Sequence, residues 1–461
     1  MKINFLADSL PSYMNDVPEI VRAFSPFIII DEAGDKVLLN VEEIENKIFA
    51  SILTDLYGCF SLQKNITFKI GSLEFKRVAK REVKKFLYEF CKTITGISLP
   101  YGSLTGVRPT KLYYDNIGIS SNIKDMFIEE FSVCESRATL IQNVVKGQEG
   151  IYSIDENEVD IFVNIPICPT RCRYCSFIST EIGRVKKLVP TYVDCVLNEI
   201  YDIKATINEK GLRVRSIYFG GGTPTSLSAE DIAKLCKPLA EFGVEFTVEA
   251  GRPDSITFEK LKALSENGVT RISVNPQTFK DETLEILGRA HNTQQLYDAY
   301  KMARKFNFDI NMDLIAGLPN ETFDDFVSSL NKAIELDPEN ITIHTLSLKR
   351  GSTLKAEGLE KKMDGSIRKM ADYSIERLSS AGYIPYYMYR QKNMADGLEN
   401  VGWCKPGKQC VYNIDYMEET TSVLSAGAGA MSKFVYHDNG RIERNCNPKG
   451  FEEYLRRKGA L

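Results

Sequence analysis

The chain has 461 residues, 43% of them hydrophobic and 26% charged, a composition that suits two or three soluble globular domains. No apolar run reaches the ~20 residues that a membrane-spanning helix needs, and a formal net charge of −4 gives no indication of a nucleic-acid partner. The chain starts Met-Lys-Ile-Asn-Phe, without a secretory-signal pattern, so we expect a cytoplasmic protein with reduced cysteines.

Residues 1–150 show no regular alternation of strands and helices. Two short apolar segments, residues 27–30 and 36–39, flank an acidic turn that contains glycine, which predicts a β-hairpin. Helical patterns follow at residues 83–95 and 122–146. We therefore predict a separate amino-terminal α+β domain over residues 1–150, whose role the sequence does not indicate.

The next part of the chain alternates short apolar runs with amphipathic runs of helical spacing. Such alternation predicts right-handed βαβ units and a parallel sheet, and six units form an open sheet or most of a barrel. Helical patterns between the runs include residues 189–207, 229–242 and 323–336. The predicted strands are residues 160–165, 214–219, 244–250, 270–275, 308–316 and 341–347.

The pattern changes again after the sixth predicted strand. A helix is predicted at residues 367–381, followed by an aromatic run at 383–389 and a glycine-rich run at 425–430. The aromatic run suits a strand with alternating burial. We interpret residues 155–390 as one α/β domain and residues 391–461 as a C-terminal capping module.

Three cysteines lie close together in the first turn of this α/β domain. Cys168, Cys172 and Cys175 have the spacing C-x3-C-x2-C, with no fourth cysteine nearby. A [4Fe–4S] cluster normally takes four thiolates, so three would leave one iron open to another ligand. Structural zinc would need four nitrogen or sulfur ligands, and zinc or inert thiols remain the simpler alternatives. The histidines lie elsewhere in the sequence: His291, His344 and His437.

Glycine and polar residues follow each of the other predicted strands. The carboxyl ends of parallel strands meet at one edge, where α/β proteins place their sites. These segments are residues 220–224, 249–251, 275–277, 313–319 and 347–350. We therefore expect the three cysteines and these segments to form one site.

Five motifs together resemble a known family. The cysteine motif followed by Gly-Gly-Gly-Thr-Pro resembles the radical S-adenosylmethionine (SAM) enzymes. The narrower motifs are Tyr-Phe-Gly-Gly-Gly-Thr-Pro-Thr-Ser (218–226), Arg-Ile-Ser-Val-Asn-Pro-Gln (271–277), Leu-Gly-Arg-Ala-His (287–291) and Met-Asp-Leu-Ile-Ala-Gly-Leu-Pro (312–319). Over about residues 155–435 they resemble the oxygen-independent coproporphyrinogen III oxidase group, and with the amino-terminal extension and residues 391–394 its longer dehydrogenase-like branch in Gram-positive bacteria. This resemblance implies a partial (βα)6 TIM-type barrel.

The resemblance also implies cofactors and their ligands. Cys168, Cys172 and Cys175 would bind a [4Fe–4S] cluster whose fourth iron is chelated by SAM. A second SAM would contact Gln277, Arg289 and Asp313. The implied cofactor-binding residues are Phe162, Tyr174, Gly221, Gly222, Thr223, Glu249, Gln277, Arg289, Asp313, Ser347 and Met431.

Simpler interpretations exist for several of these residues. The glycines suit a tight strand–helix turn, Glu249 a surface carboxylate and Arg289 an ion pair on a helix surface. The chain also departs from the family's Tyr-x-His-x-Pro pattern, because it has Phe162 and Asn164 at those positions. Phe177 stands where some oxidases carry a cysteine and resembles the haem-chaperone branch instead.

The activity implied by the resemblance is oxidative decarboxylation of coproporphyrinogen III to protoporphyrinogen IX. The substrate is a tetrapyrrole, and a flavodoxin- or ferredoxin-like protein would supply electrons. A haem-binding chaperone, whose haem site the aromatic run at 383–389 could line, or another radical SAM reaction such as methyl transfer, cyclopropanation or ring opening, is the alternative. Candidate cations for the substrate's propionates are Arg171, Arg184, Arg252, Lys349 and Arg350.

Overall fold

The computed structural model describes residues 1–7, 9–106, 108–177, 179–349, 351–359, 364–391 and 397–461. Residues divide between two compact units. The first unit contains Met1–Gln142, Lys361–Gly365 and Arg390–Glu399, and the second contains Asn143–Glu360, Ser366–Tyr389 and Asn400–Leu461. Arg350 and most of the segment 391–394 lie outside the described residues. The domain boundaries predicted near residues 150, 155 and 390 stay predictions.

The first unit is built from one mixed sheet and several helices. Its strands are β1 Lys2–Leu6, β2 Ile29–Ile30, β3 Asp35–Ile44, β4 Lys47–Thr54 and β5 Gly58–Asn65. Its helices are α1 Glu19–Ala23, α2 Leu73–Thr95, α3 Pro109–Tyr114 and α4 Ile123–Phe131, with a 3-10 turn at Ser12–Met14; α5 Glu135–Gly147 leads into the second unit. The sheet order is β2-β1-β3-β4-β5.

The hairpin predicted at residues 27–39 is wrong. β2 and β3 do not pair with each other, because both pair in parallel with β1, which lies between them. The turn crosses β1 so closely that a Cβ on Gly34 would lie 2.6 Å from the backbone nitrogen of Ile3. The hairpins of this unit are β3–β4 and β4–β5 instead. A strand supplied from the chain start is a non-local partner that local turn signals do not indicate.

The helix predicted at residues 122–146 is two helices. Ser132 ends α4 in the left-handed conformation, with φ +55°, before α5 begins at Glu135. α2 extends further toward its amino end than predicted, because Ser72 caps it by accepting a hydrogen bond from the Phe75 backbone N–H at 3.1 Å.

The second unit continues the numbering of elements. Its strands are β6 Glu158–Ile165, β7 Ile167–Cys168, β8 Thr180–Glu181, β9 Arg213–Gly221, β10 Glu245–Val248, β11 Arg271–Ser273, β12 Asp309–Ala316, β13 Asn340–Thr345, β14 Ile384–Tyr389, β15 Asn400–Cys404, β16 Ser422–Ala426, β17 Met431–Tyr436 and β18 Arg441–Cys446. Its helices are α6 Ile182–Val185, α7 Val189–Lys210, α8 Ala229–Ala240, α9 Phe258–Glu266, α10 Asp281–Ile286, α11 Thr293–Ala303, α12 Phe323–Glu335, α13 Thr353–Ala356, α14 Ser366–Ser380, α15 Val411–Glu418 and α16 Phe451–Arg457, with 3-10 turns at Lys186–Leu188, Pro224–Ser226 and Pro253–Ser255.

The six predicted strands form the centre of one large sheet. The order is β14-β15-β13-β12-β11-β10-β9-β6-β16-β17-β18, and β6 and β9 to β13 are parallel. The predicted α/β fold of six parallel βα units is confirmed. β16 adds a further parallel strand beside β6, and β15 continues the other side in the antiparallel direction. Residues from Asn400 onward therefore extend the same sheet.

None of the helices in the described segments has the length and apolarity to cross a membrane.

Candidate active site

The three cysteines lie in the loop that follows β6. β7 and β8 pair in parallel and hold the two ends of this loop together. Each cysteine is half-buried, and the Cys175 backbone N–H donates to the Cys172 carbonyl at 3.1 Å. The Thr223 hydroxyl lies 3.7 Å from the Cys168 sulfur. Thr223, from the loop after β9, is thereby placed beside the first thiol.

The three thiols offer the donor chemistry of an iron–sulfur cluster. Burial raises the pKa of Cys168 and raises the pKa of Cys175 to about 11, with contributions from the neighbouring cysteines, so bound iron would have to stabilise the thiolate forms. Within the described residues, no three His, Cys, Asp or Glu side chains are arranged to hold a single metal ion. A cluster needs one thiolate for each of three irons rather than three ligands on one ion. The donor set therefore fits a three-thiolate cluster.

The cysteine loop rests on the turn after α10. The Arg173 backbone N–H donates to the Leu287 carbonyl at 2.9 Å, and the Arg173 guanidinium donates to the Ile286 carbonyl at 3.0 Å. On the other side, the Leu354 N–H donates to the Arg173 carbonyl at 3.0 Å. Contacts from two other chain segments fix the loop that carries the thiols.

Arg289 stabilises the same loop from inside the protein. It is 6% exposed, and it donates to the Tyr174 hydroxyl at 3.1 Å and to the carbonyls of Gly251 and Asn275 at 3.0 and 2.8 Å. Burial raises the pKa of Tyr174, so the phenol stays protonated near neutrality. The alternative of a surface ion pair for Arg289 is wrong, because its guanidinium joins the ends of β10 and β11 to the cysteine loop.

Arg252 is buried against the cysteine loop and does not face the surface at the carboxyl ends of the strands. It is 3% exposed and donates to the Cys172 sulfur at 3.5 Å, to the Thr170 carbonyl and hydroxyl at 3.1 Å each, and to both Asp254 oxygens at 2.8 Å. These contacts use the five N–H donors of a guanidinium. The expectation that Arg252 receives a substrate propionate is therefore wrong, because burial and these partners occupy it.

The glycines after β9 form a crowded turn. Gly221 has φ +106°, and a Cβ there would lie 1.9 Å from the Asn164 side-chain oxygen. A Cβ on Gly222 would lie 2.6 Å from the Ile167 carbonyl oxygen. Neither position has room for a side chain, so the tight-turn interpretation holds. The same crowding leaves bare backbone beside the cysteine loop.

Two carboxylates occupy the neighbouring strand ends. Glu249 accepts a hydrogen bond from the Tyr218 hydroxyl at 2.7 Å, and burial raises its pKa to about 7 although that hydrogen bond opposes the shift. Asp313 accepts from the side-chain amides of Asn275 and Asn311 at 2.7 Å each. Glu249 is therefore only partly ionised near neutrality.

His344 is the partner that the Asp313 carboxylate requires. The His344 ring nitrogen lies 3.6 Å from Asp313. Burial alone would raise the pKa of Asp313, but His344 and the amide hydrogen bonds lower it. Gln277, with φ +65°, donates its backbone N–H to the Asp313 carbonyl at 2.8 Å and so sits beside it.

The remaining residues that were predicted to bind a cofactor lie on both sides of the cysteine loop. Phe162 stacks on Tyr218 and Tyr412, with ring centroids 6.3 and 6.1 Å apart. Ser347 has a buried hydroxyl without a hydrogen-bond partner in the described part of the chain. Met431 starts β17, and its carbonyl accepts from the Ser425 hydroxyl at 2.9 Å.

The other predicted rim cations within the described residues are exposed, whereas the aromatic run is largely buried. Arg171, Arg184 and Lys349 are exposed, as is Phe177. The aromatic run at 383–389 includes β14, whose central residues are buried consecutively and pack in a hydrophobic cluster. It is a strand without the predicted alternating burial.

Two functional features were missed from the sequence. The pairing of Arg252 with Cys172 and of His344 with Asp313 joins residues 80 and 31 positions apart. The sequence did indicate a possible site role for His344, because this residue lies near the carboxyl end of the sixth predicted strand. No local pattern indicated the position of Arg252.

Comparisons with known proteins agree with this geometry. The radical SAM superfamily matches residues 164–333. The oxygen-independent coproporphyrinogen-III oxidase-like protein HemZ of Bacillus subtilis (strain 168) is 37% identical over 399 residues, 83% of this chain and 79% of that protein. Heme chaperone HemW of Escherichia coli (strain K12) is 30% identical over 305 residues, 64% of this chain and 75% of that protein.

One solved structure shares the fold. Coproporphyrinogen III oxidase HemN from Escherichia coli, a radical SAM enzyme, gives a TM-score of 0.53 at 21% identity, covering 70% of this chain and 73% of that chain. The family resemblance drawn from the motifs is confirmed by these matches.

Proposed function

Because the chain belongs to the oxygen-independent coproporphyrinogen-III oxidase-like family of the radical SAM superfamily, we propose that it oxidatively decarboxylates two propionates of coproporphyrinogen III. The product is protoporphyrinogen IX. The observation that carries the proposal is the half-buried loop of three thiols, held by Arg289 and Tyr174 at the carboxyl ends of six parallel strands.

The residues at the carboxyl ends of the strands bind the cofactors in this proposal. When bound, a [4Fe–4S] cluster and SAM supply a carbon radical that removes a hydrogen atom from the substrate. Cys168, Cys172 and Cys175 hold the cluster. The bare backbone at Gly221 and Gly222 lies against the SAM amino-acid moiety.

The polar groups farther along the carboxyl ends of the strands hold the nucleoside parts of SAM. Glu249 accepts from a ribose hydroxyl, and Phe162, Thr223, Ser347 and Met431 complete this cofactor surface. Gln277, Arg289 and Asp313 face a second SAM. For Arg289 this role is limited to its two remaining N–H groups, because three of the five guanidinium N–H groups already donate to Tyr174 and two carbonyls.

The substrate and electron donor follow from the same reaction. The exposed cations Arg171, Arg184 and Lys349 would receive propionates at the rim. A flavodoxin- or ferredoxin-like protein would supply single electrons.

Delivery of haem is the second candidate function. It is supported by the identity to heme chaperone HemW and by Phe177, which is 66% exposed beside the cysteine loop. The buried packing of β14 removes the aromatic run as an open haem surface.

An anaerobic assay separates the two functions. The reconstituted protein is incubated with SAM, a reductant and coproporphyrinogen III, and the tetrapyrrole is followed by mass spectrometry. Loss of two CO2 from the tetrapyrrole is expected. Intact substrate together with SAM consumption would indicate another acceptor, and tight haem binding without turnover would indicate delivery.

The cluster assignment has its own test. We expect Cys172→Ala to keep the far-ultraviolet circular dichroism of the parent protein but to lose the visible absorbance of thiolate-bound iron. Cys236→Ala is the matched control, because Cys236 is buried in α8 and belongs to the core. Equal iron content in Cys172→Ala and the parent protein would contradict the assignment.

A further inference from the structure

Arg252 is a charged group placed directly against one of the cysteines proposed to bind the cluster. Its guanidinium nitrogen lies 3.5 Å from the Cys172 sulfur. The residue is 3% exposed, so solvent and salt screen its charge little. Its Thr170 contacts and its paired hydrogen bonds to Asp254 fix the guanidinium in this position.

A buried histidine lies next to Asp254. Its carboxylate lies 3.7 Å from a ring nitrogen of His291, whose side chain is fully buried. His291 stands two residues after Arg289, in the same turn that supports the cysteine loop. The buried Arg252 guanidinium, paired with the Asp254 carboxylate, thus lies against Cys172 in the protein interior.

We infer that Arg252 raises the reduction potential of the cluster through Cys172. This inference rests on the cluster proposed above. One electron taken up from a reduced one-electron carrier adds one negative charge to the cluster, and the carrier is oxidised by one electron. A fixed cation near a thiolate ligand stabilises that added charge, and hydrogen bonds to cluster sulfurs act in the same direction. Arg252 is therefore a positioning residue that acts through a ligand.

The test measures the midpoint potential of the reconstituted cluster by redox titration with electron paramagnetic resonance. Arg252→Met should shift the potential to more negative values, and Arg252→Lys, which keeps the charge, should restore most of it. Asp254→Asn should shift the potential in the opposite direction, because it removes a negative charge near the cluster. The control Arg456→Gln removes a solvent-exposed positive charge from α16 and should leave the potential unchanged.

The opposite signs distinguish electrostatic tuning from simple support of the loop. If Arg252→Met binds iron fully and keeps the parent potential, the inference fails while the proposed cluster stands. If Arg252→Met loses its iron, Arg252→Gln, which removes the charge but keeps an N–H donor, decides: a shift to more negative values supports the inference, and an unchanged potential or a loss of iron overturns it. A parent protein that binds no cluster would overturn the proposed function and this inference together.

Discussion

At the residue scale, Gly221 shows how the site depends on the absence of a side chain. Its φ of +106° is strained for any other residue, and a Cβ would displace the Asn164 amide from its hydrogen bond to the Ala428 carbonyl. We expect Gly221→Ala to lower the free energy of unfolding by about 1–3 kcal/mol. Chemical denaturation of the metal-free protein measures the loss.

Gly183 provides a matched control for this substitution. A Cβ there meets no atom within 4 Å, and its φ is not positive. Gly183→Ala should change the free energy of unfolding by no more than ~1 kcal/mol, in favour of alanine. Equal effects at both glycines would show that the crowding at Gly221 is not important.

Glu249 makes the stability of the protein depend on pH. Burial raises the pKa of this carboxyl from 4.5 to about 7, so the folded chain keeps its proton where the unfolded chain has lost it. The contribution of Glu249 to stability is therefore greatest below pH ~4.5 and falls as the pH rises toward ~7. Glu249→Gln does not ionise, so its stability relative to the parent should improve by on the order of 2 kcal/mol across this range.

Urea denaturation of both metal-free proteins at several pH values measures this difference. A stability difference that stays constant between the acidic and neutral ends would contradict the raised pKa of Glu249.

The sequence predicted the identity of the site residues better than their contacts. The cysteines and the glycines stand in contiguous motifs, so their placement at one edge follows from the strand pattern. Arg252 was expected at the rim because a sequence gives no sign of burial for a single arginine. Its partners Thr170 and Cys172 lie about 80 positions earlier and meet it only through the fold.

At the element scale, each of the six predicted strands overlaps an observed strand. The apolar runs mark them because parallel strands are covered on both faces. β15 and β16 were not predicted as part of the sheet, since their neighbours β13 and β6 are distant in sequence. Pairing of these two strands, which flank the parallel strands, depends on non-local partners, whereas a βαβ unit follows from local periodicity.

Glu199 on α7 connects this helix to the glycine-rich run and to α16. Its carboxylate accepts from the Gly427 N–H and the Tyr454 hydroxyl at 2.7 Å each, and from the Asn447 amide at 2.9 Å. Glu199→Ala leaves the buried Gly427 N–H and Tyr454 hydroxyl without this acceptor, so we expect a loss of about 2–4 kcal/mol in the free energy of unfolding.

Limited proteolysis should also cleave Glu199→Ala more readily near residues 427–461. Glu209→Ala, at an exposed position of the same helix, should stay within about 0.5 kcal/mol of the parent. If both variants unfold at the same denaturant concentration, Glu199 does not anchor these elements.

At the scale of the whole molecule, the first unit is built from separate segments of the chain. The first unit contains Met1–Gln142 and two later segments, so the chain returns to it after much of the second unit has been built. One returning segment brings Arg390, whose guanidinium lies 4.0 Å from the ring centroid of Tyr101. The sequence did not predict this return, because no composition change marks it.

The returning segment is held within the first unit by a buried ion pair. Arg137 and Glu399 approach within 3.0 Å, with side chains 0% and 2% exposed. Arg137→Met removes the ion-pair partner of the buried Glu399 carboxylate, so it should lower the free energy of unfolding by about 3–5 kcal/mol. The double variant Arg137→Met/Glu399→Leu should lose less than the single variant, since it leaves neither member of the pair behind.

Chemical denaturation of the parent, both single variants and the double variant measures this coupling. The exposed pair Lys111–Asp115, 3.5 Å apart in the same unit, is the control, and Lys111→Met should change stability by less than about 1 kcal/mol. Additive losses in the double variant would mean that Arg137 and Glu399 act separately. Coupling between them would instead mean that the pair itself stabilises the first unit.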